Sequence, residues 1–136
     1  MSNTPRQDTG IDRFRLAMDA SGVGMAIVDL QGCWLEVNPA FERMFGYSAN
    51  EVVGTPASSL THPDDIAMSR SYLRGLVEGT IPVLDAQKRY VHRNGDTVWA
   101  HVNVSVIRDG KTLPLFLLVQ LRDISAQHAT ELALQT

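Results

Sequence analysis

The chain has 136 residues, 44% of them hydrophobic and 20% charged, with a net charge of −3. That balance fits one folded domain around one core and excludes an intrinsically disordered chain. There is no basic stripe of the kind nucleic acids or anionic membranes require, and no apolar run long enough to span a bilayer, so neither is an expected partner.

The segment from Met1 to Gly10 is polar and has no apolar stretch of a secretory signal; it is predicted to be a disordered lead-in. Ile11, Phe14 and Met18 then recur at helical spacing, giving a short amphipathic helix that ends before Gly22 and Gly24. Met25 to Val28 reads as an apolar strand, stopped by the turn chemistry of Asp29-Leu30-Gln31-Gly32. Cys33 to Val37 alternates and reads as the second strand of a hairpin. Cys33 is the single cysteine. It excludes an intramolecular disulfide and a thiolate-rich metal site, and it fits a reducing, cytoplasmic setting.

Asn38-Pro39 marks a helix start: the Asn side chain can accept from a free first-turn amide, and Pro at the first helical position loses nothing there. That helix carries Phe41, Met44 and Phe45 and ends at Gly46. Ser48 and Glu51 have capping-box spacing for a further turn of helix ending at Gly54. His62-Pro63-Asp64-Asp65 is a third start, with two carboxylates at the positive end of the helix dipole. The helix is predicted to run to about Gly79 with Ile66, Tyr72, Leu73, Leu76 and Val77 inward. Val83 to His92 reads as a strand, and Asn94-Gly95 as a hairpin turn. From Val98 to Ile107 small aliphatic residues alternate with Trp99, His101, Asn103 and Ser105. Leu115 to Leu121 is almost wholly apolar and is expected to be covered on both faces. After Asp123 the pattern is helical to the last residue, so the chain is expected to be a segment of a longer protein. The sum is an α+β architecture: a five-stranded antiparallel sheet with helices on one face and a helix at each end.

Several words in this order resemble a PAS domain. They are Asn38-Pro39-Ala40-Phe41 leading to Phe45-Gly46-Tyr47-Ser48, then Glu51-Val52-Val53-Gly54, His62-Pro63-Asp64-Asp65, Arg93-Asn94-Gly95 with Trp99 downstream, and Arg122-Asp123-Ile124-Ser125. The resemblance places a PAS domain over residues 11–125 and the start of a signalling helix over 126–136. It implies a concave sheet face, closed by helices, that can hold a ligand, and terminal helices that form a homodimer and carry a signal to an output domain in cis. It further implies a relay at Asp123, Ile124 and Ser125, where Ser stands for the family's usual Thr. The output domains expected of such chains are a cyclic-di-GMP cyclase or phosphodiesterase, or a histidine kinase.

Met25, Ile27, Met44, Met68, Tyr72, Leu76, Tyr90, Ala100, Val102, Val104 and Leu117 are the candidates to line a ligand pocket; a closed aliphatic core is the reading set against it, no cofactor is expected, and a small apolar ligand is the occupant that such a pocket would suit. Phe14, Met18 and Trp99 are the candidate dimer contacts; Trp99 is out of phase with the valines, so the first helix or a partner subunit is expected to cover it. The alternative to a sensor is a ligand-free dimerisation scaffold. Neither haem nor flavin is expected. The flavin-reactive relatives carry a Cys in the helical region where Thr55 to His62 has none, and an Asn where Ala100 stands. The haem-binding relatives carry an axial His where Asp64 to Gly79 has none. The four histidines, His62, His92, His101 and His128, show no metal-ligand spacing. No nucleophile elbow or phosphate-cradling loop occurs, so no catalytic residue is assigned and the segment is not expected to be an enzyme itself.

Overall fold

The computed structural model describes residues 10–110 and 113–135; most of the lead-in expected over 1–10 lies outside them. Helix α1 (Gly10–Ala20) is followed by strands β1 (Gly24–Val28) and β2 (Trp34–Val37), helices α2 (Pro39–Phe45), α3 (Ala49–Val52) and α4 (Ile66–Glu78), strands β3 (Val83–Val91), β4 (Thr97–Asp109) and β5 (Leu113–Asp123), and helix α5 (Ser125–Gln135). Two 3-10 turns, Ala57–Ser59 and Pro63–Asp65, precede α4; the first of them is not among the sequence expectations. The strands form one antiparallel sheet in the order β2-β1-β5-β4-β3.

Asn38 shows why the Asn-Pro start matters. Its side chain is fully buried, and all its hydrogen-bonding capacity is used. Oδ1 accepts from the backbone N–H of Phe41 at 3.0 Å and of Met25 at 2.8 Å. Nδ2 donates to the carbonyls of Met18 at 2.7 Å and Val23 at 3.0 Å. One side chain thus caps α2 and fixes the end of α1 against β1; a buried amide is tolerable only when satisfied in this way. At the other end of α2, Gly46 takes φ +80°, and a Cβ there would lie 2.5 Å from Cε1 of His92. Both the left-handed cap and the close approach call for glycine.

The inner face of the sheet is set by β4, whose Val98, Ala100, Val102 and Val104 are buried. The register carries that phase outward: Tyr90, Lys88, Ala86 and Leu84 face Val98, Ala100, Val102 and Val104 on one side, while Leu121 and Val119 face Val102 and Val104 on the other. An aromatic row fills the α2 end. Trp34 and Phe41 meet edge to face at 4.9 Å, Phe41 and Phe45 at 4.7 Å, and Phe45 and Tyr90 are tilted at 5.0 Å. Such geometries add to the burial of the rings. The expectation that β5 is covered on both faces holds only in part. Leu117, Val119 and Leu121 of the inner face are buried, whereas Phe116 and Leu118 of the other face are only half-buried, and Leu113 and Leu115, near the β4–β5 turn, are exposed.

Candidate functional site

Beside the aromatic row, the inner face and α4 leave a cavity of about 150 Å³. Leu84, Lys88 and Tyr90 of β3, Val102 and Val104 of β4, Leu117 and Val119 of β5 and Val28 of β1 form its floor. Ile66, Ser69, Arg70, Tyr72, Leu73 and Leu76 of α4 form one wall. Gln31 and Gly32 of the β1–β2 turn, Trp34, Pro56 to Ser58 and Thr61 complete it.

Six of the residues singled out in the sequence meet here: Tyr72, Leu76, Tyr90, Val102, Val104 and Leu117. Five do not. Met25 and Ile27 alternate with Ala26 and Val28, so they belong to the opposite sheet face, where Ile27 shares a groove with Phe14 and Phe116. Met68 is 37% exposed, off the α4 stripe that faces the sheet. Met44 packs against the filled core instead. Ala100 is fully buried but stands opposite Lys88, which occupies the cavity side in its place.

Among the lining residues outside the sequence-based candidates, Lys88, Trp34 and Ser69 carry polar groups that bear on the chemistry of the site. Lys88 has no hydrogen-bonded partner among the described residues; its ammonium lies 4.7 Å from the centroid of the Tyr90 ring. Burial pushes it down to about 8, against the opposing attraction of Asp65. The indole N–H of Trp34 and the hydroxyl of Ser69 are also buried without a hydrogen-bond partner among the described residues. Burial likewise raises the Tyr90 phenol well above its ordinary value. A signal for Lys88 was present: it falls in the inward phase of β3 with Leu84, Ala86 and Tyr90.

A chain of side chains leads from the start of α4 to the exit helix. Asp65 is 7% exposed and accepts from the Arg89 backbone N–H at 2.8 Å, from Nε at 3.2 Å and from Nη2 at 2.7 Å. These bonds hold the Asp65 carboxyl below the usual carboxylate range, with burial opposing them. The Arg89 guanidinium sits 5.5 Å from the centroid of Trp99, and Trp99 stacks on His128 of α5 at 3.9 Å and 16°. This corrects the expected cover of Trp99: α5 of the same chain supplies it. Met18 is likewise buried within the chain, which leaves Phe14, 40% exposed, as the open member of the three expected dimer contacts.

The relay candidates join at the start of α5. Asp123 Oδ1 accepts from the Ser125 N–H at 2.9 Å, Ser125 Oγ accepts from the Trp99 N–H at 3.0 Å, and the Ile124 N–H donates to the Trp99 carbonyl at 2.9 Å. Both backbone groups of Trp99 are therefore spent on the junction. Among the described residues there is no cluster of three or more His, Cys, Asp or Glu able to hold a metal, and no helix is long and apolar enough to cross a membrane.

A family model described as the PAS fold matches residues 12–124. Over 118 residues the chain is 39% identical to Probable diguanylate cyclase DgcE of Escherichia coli (strain K12), covering 87% of this chain and 11% of that one. Over 113 residues it is 26% identical to Sensor histidine kinase TmoS of Ectopseudomonas mendocina, covering 83% and 12%. The chain thus spans about a tenth of the length of these relatives. Among solved structures, the PAS domain of a Colwellia psychrerythraea protein superposes with a TM-score of 0.78 at 24% identity, covering 85% of this chain and 98% of that one. A Rhodobacter sphaeroides LOV protein superposes at 0.73 with 23% identity, covering 85% and 66%. With the five-stranded sheet, the helices that close its inner face and the match along nearly its whole length, the chain belongs to the PAS family of sensor domains.

Proposed function

We propose that this domain senses the occupancy of its inner cavity and relays it through α5 to an output domain in cis. The observation that carries this reading is that the start of α4 does two things. Ile66, Ser69 and Arg70 wall the cavity, and Asp65, just before them, is tied through Arg89 and Trp99 to His128 on the exit helix. A ligand that shifts α4 therefore acts on α5 through a continuous set of contacts; a relay of this kind biases one element between two arrangements. The two relatives' names support a cyclic-di-GMP enzyme or a histidine kinase as the output.

A cavity of about 150 Å³ suits an occupant the size of a single benzene ring. That supports a small ligand over a three-ring flavin or a haem. Homodimerisation is part of the same reading: Ile11 and Leu16 of α1 and Leu132 and Leu134 of α5 are more than half exposed, and a second copy would cover them.

Native mass spectrometry of the purified chain, with an absorption spectrum of the same sample, is the first test. A colourless bound mass on a dimer is expected. Flavin or haem absorbance would overturn the small-ligand reading, and an empty dimer would favour a scaffold. The relay is tested separately by amide hydrogen exchange. Ser125→Ala removes the acceptor for the Trp99 N–H, costs about 0.5–1.5 kcal/mol, and is expected to speed exchange at the Trp99 amide and in α5 while leaving β3 and the rest of β4 unchanged. Unchanged exchange in α5 would sink the relay.

A further inference from the structure

The cavity walls are mostly apolar, yet its lining carries two cations, Lys88 and Arg70, and no carboxylate. Asp65, the acidic group nearest in effect to Lys88, already accepts three hydrogen bonds from Arg89. Lys88 is held over the face of Tyr90, and two more donors, the Trp34 indole N–H and the Ser69 hydroxyl, are buried without partners. Trp34 is 1% exposed. Unmade hydrogen bonds at buried donors are costly, and a half-buried ammonium in a mostly apolar lining, with a ring in place of a hydrogen-bonded partner, adds to that cost. All three unpartnered groups can donate, and what they share is the need for an acceptor.

We propose that the cavity takes a small organic monoacid, a carboxylate on an apolar body of about one ring's size, with Lys88 binding the carboxylate and the Ser69 hydroxyl and Trp34 indole N–H supplying further donors. This inference rests on the cavity being a ligand site and adds the chemical class of the ligand. One negative charge matches the one half-buried ammonium of the lining; Arg70 is exposed and lies at the rim. A dianionic phosphate would carry an uncompensated charge into apolar walls, which buried ions do not tolerate. Desolvation already lowers the Lys88 pKa, so a carboxylate would restore a partner that the fold itself withholds.

Calorimetric titration of the chain with benzoate and with its neutral analogue benzamide tests this. The wild type is expected to bind benzoate about 10- to 100-fold more tightly than benzamide, the range of a charge-assisted hydrogen bond. Lys88→Met should lose that preference while binding benzamide as before, and Lys88→Arg should keep it. Equal affinity for the two probes in the wild type, or an undiminished preference in Lys88→Met, would overturn the carboxylate assignment and leave the cavity as a ligand site. Binding of neither probe to the wild type would overturn both. If Lys88→Met fails to fold, the wild-type ratio decides alone.

Discussion

The two halves of the sheet's inner face are built from different materials. At the α2 end, Trp34, Phe41, Phe45 and Tyr90 interlock as rings, and Phe41 and Phe45 are wholly buried. At the α4 end, the same sheet presents Val102, Val104, Leu117 and Val119, and α4 stands off far enough to leave the cavity. Large rings fill one half and carry its stability; short aliphatic side chains in the other half leave room. The comparison separates a part of the core that fixes the fold from a part that can receive something.

The largest expected effect lies in the filled half. Phe41→Ala removes the ring between Trp34 and Phe45 and should cost about 3–5 kcal/mol, read as a fall in the urea midpoint. A loss below about 1 kcal/mol would break the comparison, because the row would then not be bearing the fold.

The next effect belongs to the open half and depends on pH. The Lys88 pKa is lowered from 10.5 to about 8 in the fold. Between these values the unfolded chain binds more protons than the native one, so native stability rises with pH across that window. Below about pH 8 the half-buried ammonium is a full penalty. Lys88→Met should therefore stabilise the unliganded protein near pH 7 by up to about 3 kcal/mol, at ~1.4 kcal/mol per unit. The advantage should shrink between about pH 8 and 10.5. Denaturation of both proteins across that range reads it, and a constant difference would show that Lys88 is not desolvated.

A matched pair sharpens the contrast. Val52 is 2% exposed in the filled half, and Val102 is 2% exposed but borders the cavity. Val52→Phe should cost about 1–3 kcal/mol through overpacking. Val102→Phe should cost less than about 1 kcal/mol, since its ring enters existing space, and it should abolish benzoate binding. Equal costs would mean that the cavity is not usable volume.

The filled half was the more legible one in the sequence. Asn38-Pro39, Phe41, Phe45 and Gly46 carry local rules, a cap, a period and a stop, and the structure follows them. The alternation of β4 likewise gave the correct inward set. Which of those residues border empty space could not be read, because that depends on how far α4 stands from the sheet, a distance no local pattern encodes. Met25 and Ile27 were placed on the wrong face because β1 is a continuous apolar run without alternation to mark its phase. Lys88 was passed over because charge is ordinarily read as exposure. The cover of Trp99 falls to α5 rather than to the expected first helix or partner subunit, because the stacking of His128 requires α5 to fold back onto the sheet, a contact between elements that sequence spacing does not announce.

The strand order has a consequence for how the domain comes into being. β5 is made last, yet it sits at the centre of the sheet, with β1 on one side and β4 on the other. Gly24 pairs with Leu121, so nearly the whole domain must be synthesised before its first strand can find a neighbour on that side. Until then β1–β2 and β3–β4 are two separate hairpins with open inner edges, the form of strand most prone to wrong pairing. Closure is then slow, because its contacts are distant in sequence. The residues that complete the sheet run directly into α5, so the exit helix has a platform to rest on only when the sheet is finished.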